Sequence, residues 1–543
     1  MRKNKKFLGL VAALMLAAAF TGCGKEQEGA DVTPTPTGAA EAEPTAEVTP
    51  EATPTPTEAP TPTPFEELDI SYKRVSVHDP SVIKVDDTYY IFGSHMAWAK
   101  STDLYKWTSF KTNINSNLNT LLGDIWETWC KTATNPDLSG NLWAPDVIYN
   151  ENMGKYCMYM SVNGNDWNST IVLLTADNIE GPYEYVGPIV YSGFNKTTHP
   201  VELTDVYQVL GEGADISRYQ STSVNKINAI DPCVKFDKNG DLWMVYGSWF
   251  GGLYMLKLDA QTGLRDYTYT YETVEDASDA YLGIKIAGGH AVSGEGPYII
   301  QAGDYYYLFV SYGGLSAAEG YQMRVYRSEN IYGPYVDQNG ASAIYTHNSN
   351  NLFSKIGVRI MSSYKLNGNF ETHVAQGHNS ALVDDDGKIL LVYHTRFAGG
   401  KNGIREAHEV RVQQLFINQD GWLVAAPYEY AGEKLPEEGL TMEQMVGEYE
   451  FIVHKQQLYY MELYGEMTGI VDTLLINLNA DGTVTGDVTG TWTATSGTPE
   501  MTITVDGVEY KGYFMRQATE GIHKVVTCFT ALGGNVCVWG SQK

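Results

Sequence analysis

Five short phrases in this chain place a polar or charged side chain where an apolar strand begins: HDPSVIKV, APDVIYNE, IDPCVKFD, GEGPYIIQ and GHNSALVD. Aligned, they offer Asp79, Asp146, Asp231, Glu295 and His378 at nearly one place. Each stands ten to twelve residues before the centre of an aromatic-rich run, at Tyr89, Tyr156, Trp243, Tyr306 and Leu390. A carboxylate at the start of a buried strand is costly to desolvate. One alone reads as a strand-end side chain, whereas a set in phase reads as a site. Clustered carboxylates suit two chemistries. One is a cage of oxygens around a hard cation. The other is glycoside hydrolysis, in which one carboxyl protonates the leaving oxygen and another activates water or attacks. A third carboxylate beside the acid would raise its pKa by like-charge repulsion and keep it protonated.

The elements that must position these groups are β-strands. Beyond residue 70, aromatic and β-branched runs alternate with Gly, Asn and Asp turns, which reads as all-β. The runs DDTYYIFGSH, NMGKYCMYMS, NGDLWMVYGS, AGDYYYLFVS and DDGKILLVYH each follow one of the five phrases, so the unit is a hairpin whose first strand opens with a functional side chain. Units spaced by roughly 60 to 90 residues can each supply a four-stranded blade, predicting a five-bladed β-propeller over residues 67–434. Inner strands surround a propeller's axis, so equivalent positions converge at one end of its channel. Opposed carboxyls there suit the ~6.5–9.5 Å separation of inverting glycosidases better than the ~5 Å of retaining ones. Residues 435–543 follow, with alternating strands in VDTLLINLNADGTVTGDVTGTWTAT and EMTITVDGVEYKGYFM and DG turns. They predict a small antiparallel β-barrel or sandwich, with a supporting role.

Composition narrows the partner. The 543 residues carry a net charge of −28, with 38 Tyr and 11 Trp. Such a surface repels polyanions, which excludes nucleic acid and argues against a charged pectin backbone. A neutral sugar chain against aromatic rings fits better. MRKNKK followed by FLGLVAALMLAAAF is a basic and then apolar export leader, too short for an ordinary membrane span. Cys23, in TGCGK, resembles the lipidated residue of a bacterial lipoprotein signal; plain secretion is the alternative. Residues 1–23 are therefore expected to be a leader ending at Cys23. Residues 24–66, rich in TPTP, are expected to be an extended spacer at about 3.1 Å per residue. The protein is expected to be extracellular and monomeric, held to the cell membrane by its N-terminal lipid alone. Cys528 and Cys537 flank ALGGN, so a cross-strand disulfide between them is one option; Cys130, Cys157 and Cys233 read as buried thiols.

HDPSVI, WAPDV, NAIDP, GEGPYI and GHNS, in this order, resemble glycoside hydrolase family 43, and within it the arabinanases that cut α-1,5-linked L-arabinan. The resemblance spans roughly residues 70–430. It implies a five-bladed propeller and hydrolysis with inversion. It makes Asp79 the general base, Asp231 the residue that tunes and orients, and Glu295 the general acid. It makes His378 the anchor of one calcium ion held mostly by water. Asp146 would orient the base or touch sugar. Trp143, Trp98, and Ser248, Trp249 and Phe250 of GSWFGG are expected to line the substrate cleft. Arg396, which shares a strand face with His394 in VYHTRF, would meet a sugar hydroxyl or clamp a carboxylate. The acid motif reads SGEGPYI where compact arabinanases often have EAP, a change that leaves the carboxyl in place. Two other readings remain: an exo-acting α-L-arabinofuranosidase or β-xylosidase of the same family, and a non-catalytic glycan-binding lipoprotein.

Overall fold

The computed structural model describes residues 66–67, 70–164, 167–194, 199–221, 226–290, 294–347, 355–455 and 470–543. The expected leader with Cys23, and all of the expected spacer but its last residue, lie outside the described residues.

The described chain is all-β and propeller-like. Four antiparallel sheets stand apart among the described residues. The first runs through Ser81–Val85, Thr88–Gly93, Ala97–Ser101 and Thr108–Phe110. The second runs through Leu142–Asn150, Lys155–Val162, Thr170–Ala176 and Glu184–Tyr191. The third takes Cys233–Phe236, Leu242–Tyr246, Leu253–Leu258 and Gly283–Ala287, with Ser278–Asp279 on its outer edge. The last takes His373–Val383, Ile389–Phe397, His408–Ile417 and Leu423–Ala425. Between the third and the last, Glu295–Ala302, Tyr305–Tyr312, Gln322–Ser328 and Val358–Arg359 make the same meander. This fourth unit is not a separate sheet, because Arg359 pairs in parallel with Val536 and carries the ladder into the C-terminal strands.

The first strands of successive units pack side by side, and His373–Val383 packs back on Ser81–Val85. The second strands explain the aromatic runs. LWMVY and ILLVYHTRF are buried along their whole length, and YYYLFVSY nearly so. A strand covered on both faces by neighbouring units needs a continuous apolar run rather than alternation. Each large apolar side chain fully buried there, such as Phe309, contributes on the order of 1.5–3 kcal/mol.

The C-terminal strands close on themselves. Gly447–Val453, Leu474–Leu478, Thr483–Gly486, Gly490–Ala494, Glu500–Val505, Val508–Thr519, Lys524–Gly533 and Val536–Gln542 pair in order, and the last pairs back to the first through Phe451 and Gly540. Of the two expected forms, this is the barrel. Tyr449, Phe451, Trp492, Phe514 and Phe529 fill its interior. From its outer side, Met515, Val526, Cys528 and Trp539 join the core of the fourth and last units. The cross-strand disulfide does not form. Cys528 and Cys537 are free and buried. The tight turn pairs Cys528 with Ser541 and Leu532 with Cys537, so the two thiols are out of register.

Candidate active site

Each inner strand opens at a residue with left-handed backbone: Asp79 (φ 53°), Ala144 (φ 40°), Asp231 (φ 58°), Gly296 (φ 58°) and His378 (φ 45°). The first four precede a proline, and the fifth precedes Asn379. Two residues further on, Ser81, Asp146, Cys233, Tyr298 and Ser380 pair with Phe92, Tyr159, Val245, Phe309 and Val392. The true phase is thus set by the residue before Pro. Asp79, Asp231 and His378 share it. Glu295 stands one residue before it and Asp146 two residues after. A non-glycine residue in this region carries strain that its surroundings must offset, and here the strain accompanies side chains in contact with one another.

The second strands tie the units together. Ser94 Oγ accepts from the Ala144 amide at 2.8 Å, Ser161 Oγ from the Asp231 amide at 2.9 Å, and Ser311 Oγ from the His378 amide at 2.7 Å. Ser248 Oγ donates to Glu295 at 3.1 Å, and His394 Nδ1 accepts from the Asp79 amide at 3.4 Å. The sequence carried this signal, since three aromatic runs end in Ser, the first has Ser94 one residue before its end, and the fifth ends in His394.

Asp79 is buried, and its two oxygens differ. Oδ2 accepts from Ser94 Oγ at 2.5 Å. Oδ1 instead faces ring nitrogens. It lies 2.7 Å from His78 Nδ1, 3.1 Å from His378 Nδ1 and 3.9 Å from His394 Nδ1. Burial alone would raise the pKa of this carboxyl, but His378 and His78 outweigh it and hold it well below the usual carboxylate range. Asp231 behaves oppositely. Its Oδ2 accepts from the Gly296 amide at 3.2 Å. Burial pushes its pKa up to about 7 against the pull of His378, with Glu295 and Asp79 adding repulsion. Burial would lower the pKa of His378, yet Asp79, Asp231 and Glu295 together raise it. On Glu295, Oε2 accepts from Trp249 Nε1 at 2.7 Å as well as from Ser248, and Oε1 accepts from the Tyr321 hydroxyl at 2.8 Å. The three carboxyls and His378 therefore form one electrostatic cluster, as their alignment predicted.

Several expected cleft residues do other work. Asp146 is 1% exposed, with Oδ1 taken by Ser81 Oγ at 2.6 Å and Oδ2 by the Val234 amide at 2.7 Å. It joins three inner strands and leaves no oxygen for sugar. Trp98 is 2% exposed, packs on Phe92 and donates to Asn115 Oδ1, so it belongs to the core and not to the cleft. Arg396 is buried and donates to the Leu315 and Glu406 carbonyls at 2.6 and 2.5 Å. Its Nη2 meets His78 Nε2 at 3.3 Å. A guanidinium only donates, so that nitrogen is the acceptor and the ring proton of His78 sits on Nδ1, facing Asp79. Arg396 thus holds the partner of a carboxylate. Trp249, expected to stack on sugar, gives its indole N–H to Glu295. Phe250 meets Trp167 edge-on at 5.0 Å, with the Lys226 ammonium over both rings. Trp143 stays partly exposed beside Ala144, its N–H on the Gly140 carbonyl. His78, Tyr321 and the serine series other than Ser248 were missed as site residues. His78 was in view within HDP; nothing in the sequence singles out Tyr321.

Calcium takes six to eight oxygen ligands, and no such cage surrounds His378 among the described residues. The fit is to an ion held by water. His378 Nδ1 faces Asp79, which leaves Nε2 as the ligand atom this residue offers. His78, Asp79 and His394 form the group whose potential ligand atoms all lie within 4.8 Å of one another.

The sequence matches the profile of glycosyl hydrolases family 43 over residues 72–199 and 214–423, and that of a C-terminal lipocalin-like domain over residues 427–540. It is 38% identical over 486 residues to the extracellular endo-α-(1→5)-L-arabinanase of Thermotoga petrophila, covering 87% of this chain and 94% of that protein. It is 38% identical over 485 residues to extracellular endo-α-(1→5)-L-arabinanase 2 of Bacillus subtilis, with the same coverage. Among solved structures, the family 43 glycoside hydrolase YxiA of Bacillus licheniformis superposes with a TM-score of 0.73 at 37% identity, covering 87% of this chain and 99% of that one.

Proposed function

The chain belongs to glycosyl hydrolase family 43, and we propose that it is an extracellular enzyme hydrolysing internal α-1,5-L-arabinofuranosidic bonds of arabinan with inversion. The observation that carries the mechanism is the inequality of the Asp79 oxygens. A general base must be ionised and must keep a lone pair free. Asp79 is held ionised by the surrounding imidazoles, and its Oδ1, which faces the Nδ1–H of His78 at 2.7 Å, keeps a second lone pair. It takes the proton of the attacking water. Glu295 protonates the leaving glycosidic oxygen. Asp231, whose pKa is raised to about 7 and whose Oδ2 is held by the Gly296 amide next to Glu295, is the residue that tunes and orients the acid. His378 supplies the opposing positive charge. A calcium ion held through water at His378 Nε2 would add fixed positive charge beside the carboxylates. Trp143 and Phe250, both partly exposed, are the aromatic rings we assign to sugar.

The five-bladed closure is also our proposal. It is supported by the cyclic packing of inner strands and by the Ser94, Ser161, Ser248, Ser311 and His394 contacts, each reaching the next unit. Export with lipidation at Cys23, the 24–66 spacer and a monomeric state complete the reading. The barrel supports the propeller, since its interior is filled by its own side chains.

Endo action is favoured over exo action because both relatives at 38% identity are endo-arabinanases. Chromatography of early products from linear arabinan, branched arabinan and xylan tests it. Mixed arabino-oligosaccharides are expected first, with Asp79→Ala and Glu295→Ala slowed by roughly 10²–10⁴-fold. Monosaccharide alone would mean exo action, and release from xylan only would end the arabinan reading.

A further inference from the structure

Tyr321 stands immediately before the strand Gln322–Ser328, and its hydroxyl donates to Glu295 Oε1. Its placement is templated. The ring covers Gly377, where any Cβ would overlap it, and lies nearly parallel to the His394 ring at 6.0 Å. Burial, with Glu295 and Asp79 nearby, pushes the phenol pKa far above its ordinary value, so the O–H keeps its proton.

The two oxygens of Glu295 have different partners. Trp249 Nε1 can only donate, and it is 2.7 Å from Oε2. Ser248 Oγ also donates to Oε2, so both lone pairs of that oxygen are taken and the acidic proton belongs on Oε1. We propose that Tyr321 is a positioning residue of the acid step, whose hydroxyl yields Oε1 to the proton in the resting acid and donates to Oε1 as the carboxylate forms. This rests on Glu295 being the general acid. In that step the proton passes from Oε1 to the glycosidic oxygen. The bond from that oxygen to the anomeric carbon breaks, and its electron pair stays on the oxygen. Water adds to the carbon and gives its proton to Asp79. Glu295 ends as a carboxylate. A hydrogen bond to a carboxylate is about twice as strong as a neutral one. The Tyr321 bond therefore strengthens as charge develops, which raises kcat rather than substrate affinity.

Tyr321→Phe in the full chain tests this on two substrates. One is linear arabinan. The other is the 4-nitrophenyl glycoside of α-1,5-arabinotriose, whose leaving group departs without a proton. On arabinan, kcat should fall roughly tenfold to hundredfold with KM within about twofold. On the aryl glycoside, kcat should stay within about threefold of the parent. Equal losses on both substrates would assign Tyr321 a packing role, and an unchanged kcat on arabinan would also overturn the proposal. Glu295→Gln on the same pair separates the failures. If it too loses equally on both, the assignment of Glu295 falls, and the Tyr321 inference with it.

Discussion

Asp79 and Asp231 are both buried carboxylates opening an inner strand, yet their pKa values are moved in opposite directions. Position relative to the imidazoles decides it. Asp79 touches the Nδ1 atoms of His78 and His378, whereas Asp231 is bonded by one backbone amide and feels two neighbouring carboxylates. The residue types and their order were legible in the sequence; the charge states were not, because they depend on which ring nitrogen faces which oxygen. A pH dependence follows. The folded pKa of Asp231, about 7, lies above the usual 3.8. Its stabilising contribution is therefore complete below the unfolded value and is lost as pH rises toward 7. Asp79 has the reverse sign, contributing above its unfolded pKa and losing that only in strong acid. Thermal denaturation of the parent and Asp231→Asn between about pH 4 and pH 8 reads this directly. The parent should lose more stability with rising pH than the variant does. Parallel curves would mean that Asp231 is not the raised group.

At the scale of the strand, the hairpin repeat was visible because strands covered on both faces must be apolar throughout. The register within it was legible but misread. Aligning by the first polar residue put Asp146 in the channel, whereas the residue before Pro marks the left-handed turn and assigns that place to Ala144. Asp146 then falls two residues into the strand, where it bonds Ser81 and the Val234 amide. Asp146→Ala leaves both donors buried and unpaired, at a cost of about 1–3 kcal/mol each. The melting temperature should drop by a few degrees, at about 1 °C per kcal/mol for a chain this long. KM for arabinan should stay unchanged in the folded enzyme. A raised KM with an unaltered melting temperature would return Asp146 to the sugar-contacting set. Trp98 and Arg396 were misassigned for a related reason. Sequence shows that an aromatic or a guanidinium is near the site, but not whether its polar end meets protein or solvent.

The whole molecule brings Asp79 from the first sheet and Glu295 from the fourth unit into one cluster with His378 of the last sheet. Packing of the first strands around the axis holds them there. The barrel adds a buttress through Met515, Val526, Cys528 and Trp539. Arg74 bridges Glu429 beside the last sheet and Glu520 of the barrel. The two-part architecture was readable from strand patterning and DG turns. The shared core was not, because an outward-facing Trp539 looks in sequence like any other strand residue. We propose that, with base and acid carried on different units, water attacks the face opposite the leaving group. That is the central claim, and the anomeric configuration of the first product tests it most directly. Proton NMR of linear arabinan, followed from the first turnovers, should show the new reducing end in the β configuration before mutarotation. An α-configured first product would mean retention, and would contradict the assignment of Asp79 as a base acting through water.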